Sequence, residues 1–173
     1  MCYTRLFTIL GFIFLGIISR FTPHPPNFTA MNSIALLGVA TLGSLRLSLF
    51  TVFATMFLSD LIIGFHCSLL FVYLSYGLVV LMGQWVFLKK SLSYNMLLLI
   101  ASSLLFFFIT NFGVWLTNSM YPRTLNGLGL CYLAAIPFLI NQIIGSFFYS
   151  ALILSLKSLF DYFSCKIPCP ERK

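Results

Sequence analysis

Phe21-Thr22-Pro23-His24-Pro25-Pro26-Asn27-Phe28-Thr29-Ala30-Met31-Asn32 interrupts a chain that is otherwise almost continuously apolar. Its prolines, Pro23, Pro25 and Pro26, each remove a backbone donor and fix φ, so no regular helix runs through them. The residue before each proline is pushed toward extended backbone. The stretch therefore predicts a stiff, extended connection between two apolar segments, carrying one histidine and two asparagines. Two later stretches are its companions. One is Ser59-Asp60-Leu61-Ile62-Ile63-Gly64-Phe65-His66. The other is Thr110-Asn111-Phe112-Gly113-Val114-Trp115, running on to Tyr121-Pro122-Arg123. The reading places all three at one face of a membrane bundle.

Composition sets the class. Of the 173 residues, 60% are hydrophobic and 8% charged, too little polar surface to cover a soluble globule. The mean hydropathy is +1.03. That length allows one bundle and leaves no room for a second soluble domain. Ten basic residues against three acidic ones give a net charge of +7. They stand singly or in pairs between apolar runs, not as a basic face. That pattern fits a membrane orientation signal better than a nucleic-acid surface, and no nucleic-acid partner is expected. The five cysteines, Cys2, Cys67, Cys131, Cys165 and Cys169, are odd in number and lack the paired spacing of a disulfide framework or a metal centre. Arg5 and the run Leu6–Ile18 resemble a secretion signal, but Ser19-Arg20-Phe21 supplies no cleavage site, so the segment is expected to stay as a span.

A crossing helix needs about 20 mostly apolar residues. The apolar runs predict an all-α integral membrane bundle of six spans, at 3–19, 33–45, 47–63, 69–88, 96–116 and 128–156. Residues 1–156 form one transmembrane domain and 157–173 a basic cytoplasmic tail. Arg46 ends the short second run, Lys89 and Lys90 stop the fourth, and Pro137 predicts a kink in the sixth. With the N-terminus inside, eight basic residues are cytoplasmic: Arg5, Arg46, Lys89, Lys90, Lys157, Lys166, Arg172 and Lys173. Two, Arg20 and Arg123, are outside. This positive-inside bias predicts both termini in the cytoplasm and the three polar stretches on the external face of a bacterial inner membrane.

The candidate ligand-binding residues follow from that placement. Asp60 is the one acid within the apolar region, since Asp161 and Glu171 belong to the tail. An ionisable group near a span end points to function, or to an ion pair with Arg20 or Arg123. His24 and His66 are on adjacent outer loops and read as hydrogen-bonding loop residues; their spacing with Asp60 and Cys67 makes no recognised metal motif, and none is assigned. Asn27, Asn111 and Trp115 complete the set, the asparagines as directional polar contacts and the indole as an apolar wall or a member of the interfacial aromatic belt. No nucleotide-binding loop, zinc-protease motif, serine-hydrolase elbow or acidic pair is present, so neither an enzyme nor a cofactor is expected.

Pro23-His24-Pro25-Pro26-Asn27-Phe28, Ser59-Asp60-Leu61 with Gly64-Phe65-His66, Thr110-Asn111-Phe112-Gly113-Val114-Trp115 and Tyr121-Pro122 resemble a family of small six-span bacterial membrane proteins of uncharacterised function. The resemblance runs from Arg20 to about Leu156. That family in turn is similar to the substrate-binding S subunits of energy-coupling factor (ECF) transporters. Those subunits bind vitamins or metal ions from outside and work with a membrane T subunit and two ATPases. Many carry two small residues four apart in the first helix for docking the T subunit. Gly11 and Gly16 stand one residue further apart. The resemblance implies capture of a small nutrient for uptake, with the lipid bilayer, the nutrient and the T subunit and ATPases as partners. The alternatives are a structural or assembly membrane protein without a ligand, and a membrane enzyme acting on a lipid-linked substrate.

Overall fold

The computed structural model describes residues 2–86 and 91–166. Among these residues the chain is all-helical. Its order is α1 (Cys2–Phe21), α2 (Met31–Leu42), α3 (Leu45–Ile63), α4 (Leu69–Met82) with a 3-10 turn at Gly83–Trp85, α5 (Leu92–Thr117) and α6 (Leu125–Lys166). Lys89 and Lys90 lie outside the described residues, as do residues 167–173. α6 stays helical through the first part of the stretch read as a tail, with Pro137 inside it. Three helices, α3, α5 and the 125–160 part of α6, are long and apolar enough to cross a membrane, which suggests a membrane protein.

The helices alternate in direction. α1 and α3 run parallel, since Arg20 meets Asp60 at one end and Gly16 meets Thr55 further down. α4 is antiparallel to both α3 and α5, through Tyr73–Asp60 and Tyr76–Phe106. α5 and α6 are antiparallel, through Phe108–Tyr132 and Asn111–Cys131. The loops 22–30, 64–68 and 118–124 therefore share one end of the bundle, here termed the loop end.

α2 sits in the centre. It packs against α1, α3, α4, α5 and α6, and Met31 through Gly38 are all buried. Its 12 residues rise only about 18 Å, against a hydrocarbon layer of about 30 Å. Gly43 ends it in the left-handed conformation (φ +66°), and Ser44 at once caps α3 by accepting from Leu47 N–H at 3.4 Å. The Pro-rich stretch does not arch away from the bundle. Phe28 N–H donates to Pro25 O at 3.0 Å, closing a turn with Pro26 second and Asn27 third at φ +66°, the pattern of a type II turn. Beyond the turn the chain lies on α6: Phe28 packs on the rings of Phe148 and Tyr149. Ala30 is fully buried, its N–H held by Ser19 Oγ at 3.1 Å. A rigid connection thus delivers the first turn of α2 into the protein interior.

Close backbone approach holds α2 against the end of α4. A Cβ on Gly83 would stand 2.5 Å from Leu36 O and 3.3 Å from Ala35 O, both main-chain atoms that cannot rotate aside. Gly83→Ala is expected to destabilise by about 1–3 kcal/mol through overpacking. Gly11→Ala, where a Cβ meets nothing within 4 Å, is expected to be neutral or stabilising by up to about 1 kcal/mol. Thermal unfolding of the two variants in detergent checks the contrast.

Candidate functional site

The interior of this apolar bundle is unusually polar at two levels. The upper level lies near the loop end. Asp60, 1% exposed, comes from the last turn of α3, and Arg20 from the last turn of α1. Arg20 Nη2 lies 2.6 Å from Asp60 Oδ1, an ion pair without a well-aligned hydrogen bond at that oxygen. Arg20 Nη1 donates to Ser59 Oγ, and Tyr73 Oη donates to Asp60 Oδ2 at 3.0 Å. Ser59 Oγ lies within reach of the carbonyls of Thr55 and Met56 on its own helix. Of the two arginines that the sequence offered to Asp60, Arg20 is the partner. The arrangement ties α1, α3 and α4 together and leaves the carboxylate no open face.

The other residues expected from the sequence occupy the loop end singly. His24 Nδ1 lies 2.7 Å from Pro25 O; a carbonyl only accepts, so this nitrogen carries the proton. Asn27 is exposed in its turn. His66 is exposed beside Ser68 Oγ at 3.1 Å. Asn111 Nδ2 donates to Phe107 O of its own helix at 2.8 Å. Trp115 Nε1 donates to Pro122 O at 2.9 Å, closing the loop between α5 and α6. The structure brings these side chains to one end of the molecule, each with its own local partner where one is given, and joins no two of the six directly. Among the described residues no three His, Cys, Asp or Glu side chains are grouped to hold a metal ion.

The lower level was not singled out from the sequence. Asn32, on the first turn of α2, is 1% exposed. Its Nδ2 faces Ser102 Oγ (3.0 Å) and Ser103 Oγ (3.2 Å) of α5 and Ser146 Oγ (2.9 Å) of α6. Those hydroxyl protons are already engaged. Ser102 and Ser103 donate to Leu99 O at 2.9 and 3.0 Å, and Ser146 donates to Gln142 O at 2.7 Å. Each hydroxyl offers Asn32 only lone pairs, so the amide nitrogen must point at them and the oxygen away. Asn32 Oδ1 is then buried with no protein partner. Gln142, 3% exposed and one turn from Ser146 on α6, has neither Oε1 nor Nε2 partnered. Ser33 and Ser150 extend the network: Ser33 Oγ donates to Ser146 O at 2.8 Å, and Ser150 Oγ to Ser33 Oγ at 3.0 Å. No ionisable side chain belongs to it.

Chemically, the unpartnered atoms are two amide acceptors, Asn32 Oδ1 and Gln142 Oε1, and one amide donor, Gln142 Nε2, none of them charged. Each buried, unpartnered polar group is unfavourable by about 1–3 kcal/mol, and native interiors contain few of them. The sequence signal was the recurrence of polar residues inside apolar runs, at 32–33, 102–103, 142, 146 and 150. Polar groups at membrane depth mark function, but only the fold shows that these meet.

Fold and interior together define a class: an all-helical chain with membrane-length apolar helices around a short central helix and an uncharged polar centre. The chain belongs to a family of unknown function (DUF6580), whose sequence pattern matches residues 2–166. No curated protein and no solved structure matches it.

Proposed function

We propose that the chain is a membrane-embedded solute-binding protein, serving as the S-like subunit of an uptake transporter for a small nutrient. The observation that carries this reading is the set of buried, unpartnered amide atoms on Asn32 and Gln142. They stand where a helix too short to cross a bilayer begins. Helices that start inside the membrane place polar groups at the depth where transporters hold their substrates. The ligand class follows from the chemistry of these side chains. An uncharged solute bearing both donors and acceptors satisfies the amides, whereas a charged one meets no counter-ion among Asn32, Ser33, Ser102, Ser103, Gln142, Ser146 and Ser150.

In this proposal the chain passes through a bacterial inner membrane six times, the second passage shared between the inward-packed end of the Pro-rich connection and the short α2, with the loop end outside and both termini in the cytoplasm. The Pro-rich stretch and the 118–124 loop frame the entrance. Asp60 anchors that end through Arg20, while His24, Asn27, His66, Asn111 and Trp115 shape it. The chain performs no chemistry and holds no cofactor; energy comes from an ECF-type T subunit and its ATPases.

The topology is testable with native thiols. Cys67 is exposed at the loop end, whereas Cys2 and Cys165 belong to the opposite ends of α1 and α6. A membrane-impermeant maleimide applied to spheroplasts is expected to label Cys67 and to reach Cys2 and Cys165 only after permeabilisation. Labelling in the reverse order overturns the orientation.

A further inference from the structure

We infer that the cleft between α1 and α6 is a binding site for one anionic phospholipid, its acyl chain inside the cleft and its phosphate at the basic end. This goes beyond the solute-binding reading and rests only on its membrane placement. The cleft encloses about 400 Å³ at the end of the molecule opposite the loops. None of the residues expected to bind a ligand lines it. α1 and α6 both pack on α2, which forms the floor at Thr41. One wall is α1 with Thr8, Gly11 and Leu15; the other is α6 with Ile153, Leu156 and Phe160. Each wall covers seven residues of rise, about 10 Å, so the cleft is elongated along the helices like an extended chain.

The lining explains why the cleft stays open. Gly11 has no side chain to fill it, and a Cβ there would meet nothing within 4 Å. Neighbouring Phe7 and Phe14 are 66% and 67% exposed, an apolar rim that water does not favour and lipid does.

Charge selects the headgroup. Lys157 lines the lower part of the cleft. Arg5 lies one turn before Thr8, on the stripe 5, 8, 12, 15 that continues along the α1 wall. Arg5 at the start of α1 and Arg46 at the start of α3 stand at this same end beside Lys157, which makes it basic among the described side chains. Long basic side chains at this depth extend to the interface and meet phosphate there. An anionic phospholipid is the occupant that satisfies an apolar, elongated cleft and a basic rim together.

The test is native mass spectrometry of the delipidated full chain after incubation with an equimolar mixture of phosphatidylglycerol and phosphatidylcholine. The expected wild-type result is one retained lipid per chain, enriched in phosphatidylglycerol by about fivefold for each basic side chain engaged. Gly11→Leu, which fills the cleft without meeting a neighbour at Cβ, is expected to lose the retained lipid while keeping wild-type helical content by circular dichroism. Arg5→Gln with Lys157→Gln is expected to keep a lipid and lose the headgroup preference. Three results overturn the inference: equal retention by Gly11→Leu, no preference in the wild type, or a dimer of the chain that carries no lipid. Because solute binding is read from a different mass on the same protein, failure here leaves that reading untouched.

Discussion

Asp60→Ala is expected to lower stability by about 3–5 kcal/mol, the penalty of leaving one member of a buried ion pair without the other. The variant strands the Arg20 guanidinium, whose side chain is 17% exposed, and removes the acceptor of Tyr73. It also frees the ends of α1 and α3, and with them the connection that positions α2. An exposed ion pair would contribute only about 0–1 kcal/mol, so the size of the effect reports the burial. Asp60→Asn keeps the shape and is expected to shift stability in the same direction. The double variant Arg20→Met with Asp60→Leu removes both charges and is expected to recover most of the loss, because apolar residues of similar volume commonly replace a buried pair at little net change. Denaturant or thermal unfolding in detergent, with protein level in the membrane, measures all three. A loss near 1 kcal/mol for Asp60→Ala would show that the pair does not hold the loop end together.

The second large effect has the opposite sign. Gln142→Leu is expected to stabilise the ligand-free protein by about 1–3 kcal/mol, since it replaces two buried, unpartnered polar atoms with apolar ones. The same change is expected to abolish solute binding. A gain in stability coupled to a loss of function separates a binding residue from a structural one, because groups kept for function are held at a stability disadvantage. Asn32→Leu is the contrasting case. It removes the orphaned oxygen, but also the contacts from Nδ2 to Ser102, Ser103 and Ser146. The serine hydroxyls keep their main-chain partners. Its stability is therefore expected to fall, by about 1–3 kcal/mol, while binding is lost as in Gln142→Leu. If both substitutions destabilise equally, the amides are structural.

The all-helical architecture was legible because its determinants are local. Apolar runs and the prolines at 23, 25 and 26 act within a few residues of where they stand. Asp60 was also legible, as an acid in an apolar chain, and Arg20 was one of two partners its position allowed. What the sequence concealed is non-local. The short apolar run after the Pro-rich stretch could be read as a span or a half-helix. That it is the centre of the bundle depends on Gly83, Ser48 and Phe28 packing onto it or onto its neighbours from distant parts of the chain. Asn32 belonged to the very stretch that organised the reading, yet its chemistry required serines 70, 71 and 114 residues away. Serines within apolar helices ordinarily bond back to their own main chain, as these do. Only their convergence on one amide distinguishes them. The loop residues His24, His66, Asn111 and Trp115 stood out by rarity of type, and rarity does not tell whether a polar atom is used locally or left for a ligand.

The decisive measurement is native mass spectrometry of the protein purified gently from its own host, wild type beside Gln142→Leu. The expected result is a small uncharged solute bound one per chain to the wild type and absent from the variant, whose unfolding temperature equals or exceeds that of the wild type. A wild-type protein that carries no solute, together with a Gln142→Leu variant that is less stable, would contradict the claim that the buried amides form a binding site.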